Sequence, residues 1–409
     1  MSADARRAAE RSARDHYGRL VSILAASARD ITSAEDALAD ALAAALRDWP
    51  ERGVPRSPEA WLLAVARRKL VDGARRRQSA EAALEQLVWL TQGDAEPAGP
   101  GFPDARLKLL FVCAHPAIDP AVRAPLMLQT VLGFAAEEIA PFFLVSAASM
   151  SQRLVRAKRK LREAGVAFRT PEDDELPERL DAVLDAVYAL FTQGWSLPFD
   201  DRERRAELAS DAIWLARLTA SLCPDRPEAL GLLALMLHAW ARDRARRDAE
   251  GCFVPLSEQT VTDWDHALID EAEQVLLRAA RFGQPGRFQL EAAIQSAHAA
   301  RRKGGATNWR AILGCYDALV ARSRSPAAAI NRCVALAHVE GPRAALDELR
   351  ALGADPRLET YQPYWAALAD LLNQTGDPAA AGAYDRAIAL QPDPAARDFL
   401  VGKRARLRS

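Results

Sequence analysis

Residues Glu137-Glu138-Ile139-Ala140 … Leu144-Val145-Ser146 … Met150-Ser151-Gln152-Arg153-Leu154-Val155-Arg156-Ala157-Lys158-Arg159-Lys160-Leu161 carry the reading that decides the fold. Ser146 is placed to cap a helix, because its hydroxyl can accept a free amide of the first turn. Met150, Leu154, Ala157 and Leu161 recur at helical spacing and should face a core. Ser149, Gln152, Arg153, Arg156 and Lys160 then share another face. From Arg153 to Arg162 there are six basic residues and no acid. Together with the short helix before Ser146, this reads as a helix-turn-helix with a basic second helix. Such a helix suits a DNA major groove: Arg and Gln can bond base edges, while the remaining cations neutralise phosphates. A merely solvated amphipathic helix would explain the basic run but not the capped turn.

The rest of the 409 residues also reads as helix, and the expected fold is all-α. Half the residues are hydrophobic, enough for two or three domains with cores of their own. Strand signals are scarce. A first helix is expected over about 12–28. Ser33 should cap a second, with Asp36 three residues later as in a capping box. Leu38, Ala41, Leu42, Ala45 and Trp49 mark its buried stripe. Pro50, Gly53, Pro55 and Pro58 predict a loop over 50–58. A third helix starts near Glu59 and carries six cations against one acid between 67 and 77. Gly73 is expected to interrupt it and weaken it locally. Gly and Pro residues between 92 and 104 predict a linker, followed by a compact helical module that ends with the helix-turn-helix. Pro171 and Pro177, set among acids, mark another boundary.

Charge divides the chain. Residues 1–170 carry +5 and the remainder −6, although the whole chain is at −1. A basic front and an acidic rear suit a polyanion-binding module joined to a part that does not bind nucleic acid. The five cysteines are scattered without a CxxC pair, so no zinc site or disulfide framework is expected. Cys113-Ala114-His115 offers two ligand types on adjoining turns, which is not a metal site. The dispersed histidines, with no HExxH, P-loop or Gly-rich cradle, argue against an enzyme and against a cofactor. The uncharged run 229–241 has 13 residues, too short to span a membrane and suited to a buried helix. Residues 6–28 superficially resemble a signal peptide, but Glu10 and Asp15 interrupt the basic region, so an amphipathic helix is expected.

The tail shows weak repetition. Tyr316-Asp317 and Tyr384-Asp385 lie 68 residues apart, and Gly341 and Gly376 lie 35 apart, each followed by Pro and paired Ala. The segment from Ala369 to Pro392 looks like one tetratricopeptide unit, a repeat that stacks into a superhelix.

Two basic helical modules flanking a linker resemble the two DNA-reading domains of a bacterial RNA polymerase sigma factor of the extracytoplasmic-function class. Ala34-Glu35-Asp36-Ala37-Leu38-Ala39-Asp40 is similar to that class's polymerase-binding helix, with Ala39 where Gln is usual. Trp61-Leu62 … Ala66-Arg67 … Val71-Asp72 … Arg75-Arg76 resembles the helix facing the −10 element, and residues 137–161 resemble the −35-reading motif. Pro141 departs from the pattern and is expected to kink the helix before the turn. Leu107 … Leu110-Phe111 … Cys113-Ala114-His115-Pro116, the run from Leu230 to His238, Trp264-Asp265, Asn331-Arg332 and Ala369-Asp370-Leu371-Leu372 resemble a subgroup with a long helical C-terminal domain.

The resemblance implies a non-enzymatic factor that places core RNA polymerase on promoter DNA in the cytoplasm. Its implied organisation is a polymerase- and −10-binding domain over 1–80, a linker over 81–104, a helix-turn-helix domain over 105–168 and a TPR-like regulatory domain over 177–409. Glu35, Asp36 and Asp40 would meet the polymerase. Trp61, Arg67, Arg68, Arg75 and Arg76 would hold the −10 strand. Ser149, Ser151, Gln152, Arg153 and Arg156 would contact the −35 duplex. An unknown protein or peptide would bind the tail, and no membrane is involved. The competing reading, a one-component helix-turn-helix regulator with a helical-repeat sensor, leaves the first 80 residues unexplained.

Overall fold

The structure is a computed structural model that describes residues 3–77, 105–131, 133–143, 145–166, 171, 175–196, 202–323 and 325–407. The expected linker over 81–104 lies outside them. Among the described residues the regular structure is all-α: eighteen α-helices, short 3-10 turns and one isolated bridge between Arg247 and Phe253. The chain divides into two compact units, Met1–Gln193 and Gly194–Ser409. The division falls inside a helix, Leu176–Ser196.

The first unit opens with three helices that pack on one another, α1 (Ala3–Ala28), α2 (Ile31–Arg52) and α3 (Pro58–Arg77). Leu20, Val21 and Leu24 from α1 meet Ala34, Leu38, Ala41, Ala45 and Trp49 from α2 and Leu62, Ala66 and Leu70 from α3, all buried. Burying such leucines contributes about 1.5–3 kcal/mol each, which holds the bundle against the entropy of ordering it. Three local expectations are corrected. The cap of α2 is Asp30, not Ser33: the Asp30 carboxylate accepts the Ser33 amide at 3.2 Å and the Ser33 hydroxyl at 2.6 Å. Both residue types cap well; α1 ends at Ala28, the left-handed Arg29 (φ 51) follows, and α2 starts at Ile31. Pro50 belongs to the last turn of α2, which runs on to Arg52 before Gly53 (φ 82) breaks it. The loop is therefore only 53–57. Gly73 does not interrupt α3.

Four further helices complete the described front module: α4 (Ala105–Cys113), α5 (Pro120–Thr130), α6 (Ala136–Ile139) and α7 (Ala147–Glu163). Asp119 caps α5 by accepting the Ala121 amide at 2.9 Å, with Pro120 at the first helical position. Pro141 does not kink α6. That helix ends at Ile139, and Pro141 sits in a 3-10 turn over Ala140–Phe143. α4 and α5 both pack on α1, and α7 packs on α5, α6 and α2. One contact of this packing demands glycine. Gly133 has φ 77, and a Cβ there would stand 2.9 Å from the Tyr17 ring of α1. α8 (Leu176–Ser196) follows.

The second unit is built around an apolar helix. α9 (Arg202–Leu222) leads to α10 (Pro227–Trp240), which is buried without a break from Ala229 to His238, as the uncharged run implied. α11 (His266–Ala280) and α12 (Arg287–Ala299) pack against α10. Gly231 lets α12 approach: a Cβ there would be 2.6 Å from the Gln289 backbone nitrogen. Glu228 of α10 caps α12 from outside, accepting the Phe288 and Gln289 amides at 2.9 and 3.2 Å. Beyond it come α13 (Trp309–Arg322), α14 (Pro326–Glu340), α15 (Pro342–Leu352), α16 (Gln362–Thr375), α17 (Ala380–Leu390) and α18 (Pro394–Ala405), each packed on the next. Their shared core includes Leu336, Leu346, Leu349, Leu372 and Tyr384.

Candidate nucleic-acid interface

α7 has the geometry its sequence pattern required. The Ser146 hydroxyl accepts the Ser149 amide at 3.2 Å. Met150, Leu154, Ala157 and Leu161 are buried. Gln152, Arg156, Arg159 and Lys160 are exposed and Arg153 and Ser149 half-buried. The Arg156 guanidinium donates to the Gln152 backbone carbonyl at 3.3 Å, which holds the Arg156 side chain along the helix. Among the described residues, Arg153, Arg156 and Lys160 make no ion pair, so their charges remain available to a polyanion. Val155, which the sequence reading passed over, lies in the same outward region and is 64% exposed. An apolar side chain there can meet a thymine methyl.

The structure separates Ser151 from that set. Ser151 and Lys158 are seven residues apart, two helical turns, and so share a flank that also carries Arg162. That flank faces α2. Lys158 Nζ lies 2.9 and 2.7 Å from the two Glu35 carboxylate oxygens, and Arg162 lies 3.9 Å from Asp30. Ser151 itself is exposed beside this contact. Burial pushes the Glu35 carboxyl up from its ordinary range, with Lys158 pulling it down less strongly. The half-buried Tyr17 phenol beside it is also pushed up, by burial and then by the Glu35 charge. The Cys113 thiol donates to or accepts from the Thr130 hydroxyl at 3.3 Å, and burial raises it to about 12, so it is an inert core group.

Of the other expected polymerase contacts, Asp36 is exposed, and Asp40 is exposed and 3.8 Å from Lys69 of α3. On α3, Trp61 packs edge-on against Trp49 of α2, with ring centres 5.5 Å apart. Arg68 is exposed, while Arg67 is half-buried with its Nε buried and unpartnered. The helical backbone extends through Arg75 and Arg76, whose side chains lie outside the described residues. The acids of α2 and the cations of α3 thus occupy one three-helix bundle, with Glu59 fixing the start of α3 to Arg19 of α1 at 3.1 Å.

Comparison with known proteins gives this arrangement its meaning. A sigma-70 region 2 model matches residues 13–80, the span of α1 to α3. A family of unknown function (DUF6596) matches residues 179–280. An uncharacterized protein of Rhizobium meliloti (strain 1021) is 40% identical over 370 residues, covering 88% of this chain and 87% of its own length. The chain belongs to the same family as that protein. Its region 2 domain supports a sigma factor involved in transcription initiation and implies binding to core RNA polymerase and promoter DNA. No solved structure matches this sigma factor. Among its described residues no helix is long and apolar enough to cross a membrane.

The second unit holds a feature that sequence reading did not find. A cavity of about 550 Å³ is lined by Trp240, Asp243, Arg244, Asp263, Trp264 and Asp265. Trp264 is fixed in its wall by a hydrogen bond from Nε1 to Gln259 (3.2 Å) and by the Arg301 guanidinium, 5.5 Å from the ring centre. The residues come from the end of α10, two short 3-10 turns and the start of α11, so no spacing in the sequence signals them.

Proposed function

We propose that this protein is an extracytoplasmic-function sigma factor of the cytoplasm with an appended TPR-like regulatory domain. The observation that carries the reading is the presence, in one chain, of a sigma-70 region 2 domain and a capped, exposed basic helix α7. Residues 1–80 bind core polymerase through Glu35, Asp36 and Asp40 and hold the −10 strand on Trp61, Arg67, Arg68, Arg75 and Arg76. Residues 81–104 are the linker. Residues 105–168 read the −35 duplex through Ser149, Gln152, Arg153 and Arg156, with Ser151 at the margin of that face.

Residues 177–409 form the regulatory domain. Support for repeats there comes from matching roles. Asp317 on α13 pairs with Arg332 on α14, and Asp385 on α17 pairs with Arg404 on α18. In both cases the acid after the tyrosine ties its helix to the next. Gly341 (φ 100) and Gly376 (φ 71) each end a helix. Stacked helix pairs give a concave surface suited to a peptide or protein partner.

Run-off transcription with purified core polymerase on the DNA upstream of the protein's own coding sequence tests the reading. A discrete, protein-dependent transcript is expected. Tight sequence-specific duplex binding by the free chain, with no effect on polymerase, would point to a one-component regulator instead.

A further inference from the structure

We propose that the cavity beside Trp240 and Trp264 is a binding site for a small organic cation, a molecule that carries an ammonium or guanidinium group. Binding there concerns the second unit alone and stands independently of the sigma-factor reading.

The walls are fixed before any ligand arrives. The Asp265 amide donates to the Ala241 carbonyl at 2.8 Å, which joins the start of α11 to the end of α10. Gln259, itself buried, accepts from Trp264 Nε1 and donates to the Val254 carbonyl at 3.3 Å. Arg301 donates to the Leu256 and Gln259 carbonyls at 2.6 and 3.1 Å. The segment that carries Trp264 is thus tied down by its own bonds, and a ligand has little left to order. The volume of about 550 Å³ lies within the range of about 300–1,000 Å³ usual for small-molecule sites.

The charges select the ligand. Asp243 is committed to Arg205 and stands 3.6 Å from Arg246. Arg244, Asp263 and Asp265 are exposed and form no ion pair among the described residues. Two free carboxylates against one free guanidinium leave negative charge in excess, which disfavours a phosphate or a carboxylate ligand. The Trp264 ring is already faced by Arg242 and Arg301, at 6.0 and 5.5 Å. Trp240 is half-buried in the same lining and has no cation over its ring among the described residues. An indole face and free carboxylates in one cavity suit an organic cation: the ring quadrupole attracts the charge, and the carboxylates accept its N–H groups. A metal ion suits it less. Among the described residues no group of three His, Cys, Asp or Glu side chains is placed to hold one. Ala241 and Leu268 add apolar lining for an aliphatic body.

The test uses the full-length chain with fluorotryptophan in place of tryptophan, followed by fluorine NMR. Spectra of Trp240→Phe and Trp264→Phe assign the two lines. Agmatine and cadaverine are titrated as probes, with glutarate as the anionic control. Both amines should shift the Trp240 line in a saturable way, and glutarate should not. The Asp263→Asn, Asp265→Asn double variant should bind the amines about ten-fold more weakly, the scale of one charged hydrogen bond. Asparagine at 265 keeps the cap that Asp265 gives the Leu268 amide. Asp263→Asn alone serves if the double variant does not fold. A lysine blocked at both ends, as its N-acetyl amide, tells the source of the cation. Tighter binding than agmatine would assign it to a side chain of a partner, weaker binding to a free amine, and either supports the site. No saturable shift by any of the three amines up to about 10 mM, beyond the weak end of specific binding, would overturn the site. So would an equal response to glutarate, or unchanged amine affinity in the folded variant.

Discussion

In the front unit, Arg153 and Arg156 of α7 stand on a helix face with no acid beside them. In the rear unit, Arg205 is buried against Asp243, and the half-buried Arg242 and Arg301 flank Trp264 with ring distances of 6.0 and 5.5 Å. Both units are rich in arginine, so composition alone would grant either an affinity for polyanions. Exposure separates them. A guanidinium that is already paired or laid on an aromatic face cannot neutralise a phosphate. The crowding in the rear unit is strong enough that burial, with Arg246 and Arg301 nearby, pushes Arg242 down to about 10. The exposed Arg156 of α7 is thus open to a partner, whereas Arg205, Arg242 and Arg301 are committed to the fold.

The largest test of this division is Asp243→Ala. Removing the acid takes the Asp243 pair from the buried Arg205, at a cost of about 3–5 kcal/mol. Urea unfolding should show that loss, while α7 remains able to bind DNA. A stability change below about 1 kcal/mol would mean that Arg205 is not held by this pair.

Acid should act next, and only on the rear unit. His238 is buried and pushed down to about 3 by burial and then by Arg242 and Arg302; Glu273, 3.5 Å away, is committed to the Ser296 hydroxyl and does not offset them. His298 is pushed down to about 4, again chiefly by burial, with Arg242, Arg301 and His338 adding to it. Folded pKa values below the ordinary 6.5 mean that the unfolded chain binds more protons in between. Stability from these groups is thus complete above about pH 6.5 and lost as pH falls towards 4 and 3. Hydrogen exchange in α10 and α12, corrected for intrinsic rate, should quicken over that window, and His238→Leu should flatten the response. Equal loss of protection in α1 to α3 would contradict the contrast.

On the front unit, Arg153→Ala and Arg156→Ala should each weaken promoter use by roughly 1–3 kcal/mol if they bond bases. A phosphate contact should instead lower the salt slope by about one and leave sequence preference alone. Ser146→Ala, which removes the cap of α7, should cost about 1 kcal/mol of stability. Lys69→Ala, at the exposed 3.8 Å pair with Asp40, should change stability by less than about 1 kcal/mol. A larger loss there would show that α2 and α3 depend on surface charge.

How much the sequence revealed follows the range of each interaction. The buried stripe of α7 and its Ser146 cap were legible because helical period and capping are local. The buried character of α10 was legible for the same reason. Asp30 and Ser33 are both good caps three residues apart, and only the left-handed turn at Arg29 decides between them. Pro50 reads as a loop signal, yet a proline in the final helical turn forfeits little. The Lys158–Glu35 pair joins residues 123 apart, and the cavity beside Trp264 gathers two helix ends and two short turns; neither leaves a periodic trace.

The most direct measurement is a footprint of the core polymerase complex on promoter DNA, with wild-type protein and with the Arg153→Ala, Arg156→Ala double variant. The account predicts two protected segments for wild type. It predicts that the variant still binds core polymerase and keeps the downstream segment but loses the upstream one. Upstream protection unchanged in the double variant would contradict the assignment of α7 as the helix that reads DNA.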